Sequence, residues 1–194
     1  MRPETLRPIQ VTYAALVLEQ AAVFDAIVAG PRRAIEGPLR VLVLNPALAD
    51  HVQKLGAYCR YGTSLPARLT ELAILVVGAF WQAGFELETH APLAEQAGID
   101  RIVVEAIRLQ ADPLFTRRDE QAVYDVLRAL LYDRDVPDEA YSRLICEVGQ
   151  QGAIDLVGVA GYYCLICVTI NAFRVPLALP SAGPFKSPPG CDAT

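Results

Sequence analysis

The sequence predicts an all-α fold with seven or eight helices. Apolar residues recur at the three- and four-residue spacing of helices along most of the chain, as in the series Leu48, Val52, Leu55 and Cys59. Glycine, proline and capping residues divide these apolar segments at intervals. No two alternating segments joined by a hairpin turn occur, so a β-sheet is not expected.

The first helix is predicted over residues 10–29, where Gly30-Pro31 stops it. Two Gly-Pro pairs mark residues 30–46 as a long connection. Its centre reads LRVLVL, and because no second strand is available to pair with it, we expect an irregular or helical turn there. Asn45 is expected to cap the second helix, with Pro46 at its first position.

A central helix is predicted next. Ser64 or Leu65 is expected to cap it, and residues 72–81 are apolar on nearly all sides, which is typical of a helix surrounded by others. Gly84 then interrupts or bends the chain. A further helix is predicted to follow and to end near Gly98.

The C-terminal half is predicted to add four helices: a short one capped by Asp100, one from Asp119 to about Tyr132, one beginning near Pro137 and a long one over Ala153–Phe173. Residues 156–170 of the last helix carry no charge. This uncharged run is shorter than the roughly 20 residues of a membrane-spanning helix. We therefore expect a helix buried in the core or in a subunit interface, and no membrane partner.

The composition is more apolar than that of an average soluble domain. Hydrophobic residues make up 53% of the 194 residues, which is enough for a core and for a subunit interface. The net charge is −5 and no basic patch with interleaved aromatics occurs, so nucleic acid is not an expected partner. The N-terminal stretch does not read as a secretory signal, and five cysteines are an odd number for a disulfide framework. We expect a cytoplasmic protein with reduced thiols.

We divide the chain into three segments. Residues 1–40 are predicted to form an N-terminal helix and connection, and residues 41–178 the main helical domain. Residues 179–194 form a tail rich in proline and glycine, which we expect to be extended over a neighbour or disordered.

One of only two histidines lies in an acidic segment. Glu86 and His90 are four residues apart and so face the same side of a helix, where a carboxylate orients the imidazole and raises its pKa. The alternative is a surface ion pair of little consequence. Glu71 begins an otherwise apolar helix, and it requires a partner if it is buried. Two ligands are too few for a metal ion, and His51 falls on another face, so no metal site is expected.

The motif Cys164-x-x-Cys167 lies in the middle of the most apolar predicted helix. A redox motif needs an exposed cysteine of low pKa, usually at a helix N-terminus or beside a base. No Lys, Arg or His is adjacent in sequence, and no second CxxC is present to complete a zinc site. We expect both cysteines to be small buried hydrophobes.

Three segments carry a resemblance to a known family: RYGTSLPARLTELAIL (60–75), FWQAGFELETHAPLAEQAGI (80–99) and GVAGYYCLICVTINAFRVPL (158–177). In combination they resemble the carboxymuconolactone decarboxylase-like family, within the wider alkyl-hydroperoxidase-D-like superfamily. The resemblance extends from about residue 40 to residue 180. It implies an all-α fold that assembles as a homo-oligomer, a trimer or a hexamer.

The resemblance also implies which branch of the superfamily the chain is similar to. Peroxidase-type members carry two cysteines between a glutamate and a histidine. Here Glu71 and His90 match the outer positions, whereas Ala83 and Glu86 occupy the cysteine positions. What remains resembles the acid–base set of the decarboxylase-like branch, which needs no cofactor.

From this resemblance we expect His90 to be the general acid/base, Glu86 its orienting partner and Glu71 a second proton-handling group. The residues expected to bind substrate are Arg60, Arg68 and Trp81. The expected substrate is a small carboxylic acid or lactone.

The expected activity is that of a cofactor-independent lyase, which releases CO₂ from a small carboxylated lactone or related cyclic acid. Isomerisation or ring closure by the same residues is a further possibility. Two other classes stay open: a thiol-dependent peroxidase or disulfide reductase, for which Cys59 is the cysteine expected near His90, and a non-catalytic oligomeric binding protein. Departures from the family pattern at Ala79, Phe80 and Leu87 point to a specialised substrate.

Overall fold

The computed structural model describes residues 12–177, and every regular element in this range is helical. A 3₁₀ turn precedes the first helix and a π-helical turn, Ala129–Asp133, follows the seventh. The α-helices of this range are α1 Leu18–Ala29, α2 Pro38–Leu42, α3 Pro46–Tyr61, α4 Ala67–Phe80, α5 Gly84–Ala97, α6 Arg101–Arg108, α7 Arg118–Arg128 and α8 Asp138–Phe173. The predicted all-α class is confirmed. The predicted tail, 179–194, and the first part of the predicted N-terminal segment lie outside the described residues.

Helix α4 forms the centre of the bundle. Every residue from 69 to 79 is buried, and α5, α7 and α8 pack around it. A helix that is apolar on all sides gains most by being surrounded, which explains why this segment occupies the middle. The buried stretch contains one carboxylate, that of Glu71, so the surrounding helices must supply it with a partner.

A tight turn joins α4 to α5. Gln82 adopts a left-handed φ of 51° in this turn. Gly78 of α4 faces Glu86 and Leu87 of α5, and a Cβ at this position would make ordinary van der Waals contact with both. The turn runs α5 back along α4 and brings Glu86 and His90 alongside Glu71.

Helix α8 bends at Gly149, where φ is 70° and ψ is 175°. Glycine adopts this conformation at little cost, so the two predicted C-terminal helices meet here as one kinked element. Within the described range, α8 is the one helix long and apolar enough to cross a membrane, with a mean hydropathy of 1.9. Of its apolar window 61% is buried inside the protein, as expected for a core helix.

The predicted helix starts hold for α3 and α6 but not for α4. Asn45 and Asp100 cap α3 and α6 through side-chain hydrogen bonds to backbone N–H groups, as predicted. The N-cap of α4 is Pro66 rather than Ser64 or Leu65. Ser64 instead donates hydrogen bonds to Asp155 of α8.

Ser64 fixes the α3–α4 connection to α8 through Asp155. The Asp155 carboxylate accepts hydrogen bonds from the Ser64 backbone N–H and hydroxyl, both at 2.7 Å, and from the Tyr58 hydroxyl at 2.6 Å. Burial disfavours the charged carboxylate, but these hydrogen bonds outweigh it and lower the pKa of Asp155. The end of α3 is thereby held in a defined position.

Candidate active site

His90 lies between two buried glutamates that come from different helices. Its Nδ1 is 2.6 Å from Glu71 Oε2, and its Nε2 is 3.1 Å from Glu86 Oε2. The exposed fractions are 3% for His90, 4% for Glu86 and 8% for Glu71. The structure thus brings together the three residues expected to handle protons. The interpretation of Glu86 and His90 as a surface ion pair does not hold.

The two glutamates raise the pKa of His90. Burial acts in the opposite direction because it disfavours the imidazolium. The hydrogen bond with Glu71 and the contact with Glu86 together outweigh burial. A protonated imidazole can donate from both nitrogens, whereas the neutral ring leaves one of the two carboxylates without an N–H.

The two contacts of the imidazole are not equivalent. The contact with Glu71 is a short, well-formed hydrogen bond. Glu86 Oε2 lies within ion-pair distance of Nε2, but it has no partner with hydrogen-bond geometry among the described residues. The Nδ1 side of the ring is therefore firmly held, and the Nε2 side is free to exchange its contact for another.

His90 and Glu86 line a cavity of about 120 Å³, whereas Glu71 is not part of its wall. The loop between α1 and α2, the end of α3, the first half of α5 and the second half of α8 enclose this space. Other lining residues include Arg32, Glu36, Arg60, Phe85, Thr89, Tyr162 and Tyr163. The cavity is smaller than the roughly 300–1,000 Å³ of pockets for drug-sized ligands, which restricts any ligand held within it to a small molecule.

Two tyrosines of α8 support the imidazole and were not predicted as site residues. The ring of Tyr163 stands edge-on to that of His90, with centroids 5.6 Å apart, and Tyr162 stands edge-on to Tyr163 at 5.0 Å. Burial raises the pKa of Tyr162 to about 12 and that of Tyr163 well above its usual value. Both phenols therefore keep their protons at neutral pH. Adjacent tyrosines in an otherwise apolar helix are the only sequence signal for them.

Two arginines reach the cavity. Arg60, at the end of α3, was expected to bind substrate, and the structure places it in the cavity wall. Arg32, in the loop after α1, also lines the cavity, although no spacing pattern pointed to it. Its position depends on a loop conformation that the sequence does not define.

Arg68 was expected to bind substrate, but it lies away from the cavity. Its guanidinium pairs with Asp119 at 2.6 Å and with Glu120 at 2.5 Å, and thereby joins α4 to α7. The Glu120 side chain is only 4% exposed, so it needs this cation. The expectation is corrected: Arg68 holds two helices together.

Trp81 is a second correction. It ends α4, and its backbone carbonyl accepts a hydrogen bond of 2.7 Å from Asn171 Nδ2 of α8. Its ring packs edge-on against Phe80, with centroids 5.4 Å apart. Because it is not in the cavity wall, it has no contact with the proposed substrate site.

The other candidate ligands do not gather into a metal site. His51 is exposed, and the exposed Glu88 pairs with Arg108. No group of three or more His, Cys, Asp or Glu side chains in residues 12–177 is arranged to hold a metal ion.

Comparison with known proteins agrees with this architecture. The family model of the carboxymuconolactone decarboxylase family matches residues 46–129, which run from α3 through α7 and include Glu71, Glu86 and His90. No curated protein sequence matches the chain.

Several solved structures share the fold at low sequence identity. The debrominase Bmp8, solved with 2,3,4-tribromopyrrole and a cysteine-to-alanine substitution, is 14% identical with a TM-score of 0.71 over 91% of this chain and 93% of that one. An uncharacterised peroxidase-related protein from a Silicibacter species is 14% identical with a TM-score of 0.70, over 94% and 95%. An uncharacterised peroxidase-related protein from Ralstonia eutropha with the alkylhydroperoxidase AhpD core is 14% identical with a TM-score of 0.68, over 88% and 90%.

The fold is that of the AhpD-like helical proteins, a group that includes peroxidase-related proteins and a debrominase. The family model matches less than half of the chain, and together with the shared fold it supports the resemblance seen in the sequence.

Proposed function

We propose that the protein is a cofactor-independent lyase that decarboxylates a small carboxylated lactone or related cyclic acid. The observation that carries the proposal is His90, held between Glu71 and Glu86 at the wall of a small cavity. Three titratable groups in contact, two of them facing a cavity and one with a raised pKa, are characteristic of acid–base sites.

The geometry favours a division of roles that differs from the one expected from the resemblance. Glu71 lies outside the cavity wall and holds Nδ1, so it is the residue that orients the ring and fixes its tautomer. Glu86 and Nε2 face the cavity, and the Oε2 atom of Glu86 lacks a hydrogen bond. The proton that reaches substrate is therefore the one on His90 Nε2, the ring nitrogen that faces Glu86 and the cavity.

The proposed reaction places its electron sink in the substrate. The bond between the carboxylate carbon and its neighbour breaks, CO₂ leaves, and the electron pair enters a conjugated carbonyl as a dienolate. Protonated His90 gives the Nε2 proton to carbon, and the neutral imidazole is then reprotonated from water. Tyr163, which keeps its phenolic proton and lines the cavity, is a donor available to the dienolate oxygen.

Thiol chemistry is the principal alternative, and the cysteines near the site count against it. Burial raises the pKa of Cys59 to about 11, with a further contribution from Asp155. Burial, and then the charge of Glu86, raises the pKa of Cys167 far above its usual value. A reactive cysteine needs the opposite shift, towards the thiolate at neutral pH. A non-catalytic binding protein would not need a histidine with a raised pKa.

The proposal is tested with five-membered lactone carboxylates that carry ¹³C in the carboxyl group, in D₂O. Wild-type protein should release ¹³C-bicarbonate and place one deuterium on product carbon. His90→Asn should lower kcat by about 10²- to 10⁴-fold, the usual contribution of a general acid or base. Deuterium incorporation without ¹³C release would identify an isomerase instead.

The matched controls for this experiment are Cys59→Ala and Cys167→Ala. Both should turn over as the wild type does. If His90→Asn leaves turnover intact and Cys59→Ala abolishes peroxide reduction by the protein, the lyase proposal is wrong and the peroxidase class is correct.

We also propose that the protein assembles as a homo-oligomer through α8, with a trimer or hexamer as the expected size. A stripe of exposed apolar residues runs along this helix, consisting of Ile154, Val157, Leu165 and Val168. Gly158 and Gly161 lie on the same face, where an added Cβ would contact nothing within 4 Å. A continuous apolar face of this kind favours burial against another subunit. The cytoplasm remains the expected compartment.

A further inference from the structure

We propose that Arg32, together with Arg60, forms an anion receptor that anchors a non-reacting carboxylate of the substrate. The inference rests on the proposed function in one respect, because it assumes that the reacting group of the substrate lies beside His90. The binding test of the receptor does not depend on that function. Arg32 comes from the loop between α1 and α2, and Arg60 from the end of α3, and both line the cavity that holds His90.

Arg32 is fixed in place but incompletely satisfied. Its Nη2 donates a hydrogen bond of 3.1 Å to the Tyr162 hydroxyl. Its Nε is buried and has no hydrogen-bond partner among the described residues. A buried donor without a partner costs about 1–3 kcal/mol, so its presence calls for a ligand that accepts from it.

Neither arginine has a carboxylate partner within the described chain. None of the ion pairs among residues 12–177 includes Arg32 or Arg60. Arg60 has only a stacking contact, with its guanidinium carbon 5.6 Å from the centre of the Tyr61 ring. Glu36 lines the same cavity but pairs with neither arginine. Two unpaired guanidinium groups at one small cavity match a carboxylate, which they bind through paired N–H groups.

The protein makes space for this arrangement. Gly56 of α3 faces Arg32 and Tyr162, and a Cβ at this position would collide with both the Tyr162 hydroxyl and the Arg32 guanidinium. Glycine in the interior of a helix costs about 1 kcal/mol relative to alanine. The absence of a side chain at Gly56 is what allows the arginine and the phenol to meet.

The position of the receptor relative to His90 indicates which part of the substrate it holds. Arg32 contacts Tyr162, Tyr162 packs on Tyr163, and Tyr163 packs on His90. The tyrosine pair thus links the arginine to the imidazole along the cavity wall. An ion pair stabilises a carboxylate relative to neutral CO₂, so the anchored group is not the one that reacts beside His90.

The receptor is tested by direct binding, independently of turnover. The probes are 2-furoate and its uncharged analogue 2-furamide, titrated by isothermal calorimetry. The wild type should bind 2-furoate at millimolar or lower concentration and prefer it to 2-furamide. Arg32→Met should weaken 2-furoate binding by about 10- to 100-fold, because hydrogen bonds to charged groups are lost, and should leave 2-furamide unaffected.

Arg33→Met is the matched control. Arg33 is exposed, belongs to the same loop and is not in the cavity wall, so this substitution removes the same charge without touching the receptor. It should bind 2-furoate as the wild type does. If Arg32→Met does not fold, as judged by circular dichroism, Arg60→Met provides the same test from another element.

Three results would overturn the receptor: no preference of the wild type for 2-furoate, equal binding by the folded arginine variants, or an equal loss in Arg33→Met. His90→Asn separates this inference from the proposed function, because it should lose turnover and keep 2-furoate binding. If no lactone substrate is turned over, the proposed function is wrong, but the 2-furoate binding result still tests the receptor.

Discussion

The Nδ1 atom of His90 lies 2.6 Å from the Oε2 atom of Glu71, although the two residues are 19 positions apart and belong to different helices. The contact satisfies the one carboxylate buried within the apolar centre of α4. It also leaves the opposite ring nitrogen, Nε2, directed at Glu86 and the cavity. The packing of α5 against α4 therefore positions the residues of the site.

This contact makes stability depend on pH. Because the folded-state pKa of His90 is raised above its ordinary value of about 6.5, the stabilisation is fully present below that pH and is lost as pH rises through the raised pKa. The free energy of unfolding, measured in urea across that window, should fall with rising pH. Glu71→Gln should reduce the fall. The control Glu88→Gln alters an exposed carboxylate and should leave it unchanged; an unaltered slope in Glu71→Gln would count against the contact.

Arg68 should prove to be a structural residue. Arg68→Met leaves the buried Glu120 without its nearest cation, and we expect a loss of about 3–5 kcal/mol in the free energy of unfolding. Binding of 2-furoate should not change, because Arg68 lies outside the cavity. Lys54→Met, which breaks an exposed pair with Asp50, is the control and should have no measurable effect on stability. Weakened 2-furoate binding at unchanged stability would restore Arg68 as a substrate-binding residue.

Gly56→Ala should displace the Arg32 guanidinium from its position in the receptor. The added methyl group collides with Tyr162 and Arg32, so we expect a destabilisation of about 1–3 kcal/mol and weaker binding of 2-furoate. Because both changes act on the same contact, the double variant Gly56→Ala/Arg32→Met should bind no more weakly than Arg32→Met alone. Additive losses would show that Gly56 acts elsewhere.

The apolar stripe on α8 should control assembly. Ile154→Glu places a charge in the proposed interface and should shift the protein towards the monomer in light scattering coupled to size-exclusion chromatography. Ile102→Glu is the matched control, since both isoleucines lie on helices and are 66% and 76% exposed, respectively. A monomeric wild type, or the same shift in both variants, would contradict the proposed interface.

The sequence was sufficient for the all-α fold class and for the proximity of Glu86 and His90. Local signals such as the Asn45 and Asp100 caps act within a few residues and could be identified directly. Glu86 and His90 are one helical turn apart, so their pairing followed from spacing. Glu71 entered through the family resemblance, because nothing local shows that α5 folds back along α4.

The remaining site residues depend on long-range packing. Arg32 reaches the cavity through an irregular loop, and its partner Tyr162 is 130 positions away. Arg68 and Trp81 are close in sequence to Glu71 and Glu86. In the structure, however, Arg68 pairs with α7, and Trp81 lies at the C-terminal end of α4. Proximity in sequence to Glu71 and Glu86 therefore did not show which arginines line the cavity.

The central claim is that His90 lies at the cavity wall with a pKa raised by its contacts with Glu71 and Glu86. The most direct test is a ¹³C NMR titration of the imidazole in a His51→Gln background, where His90 is the only histidine of the sequence. We predict a midpoint above the ordinary value of about 6.5, which falls in both Glu71→Gln and Glu86→Gln. A midpoint at the ordinary value that neither substitution moves would contradict the account.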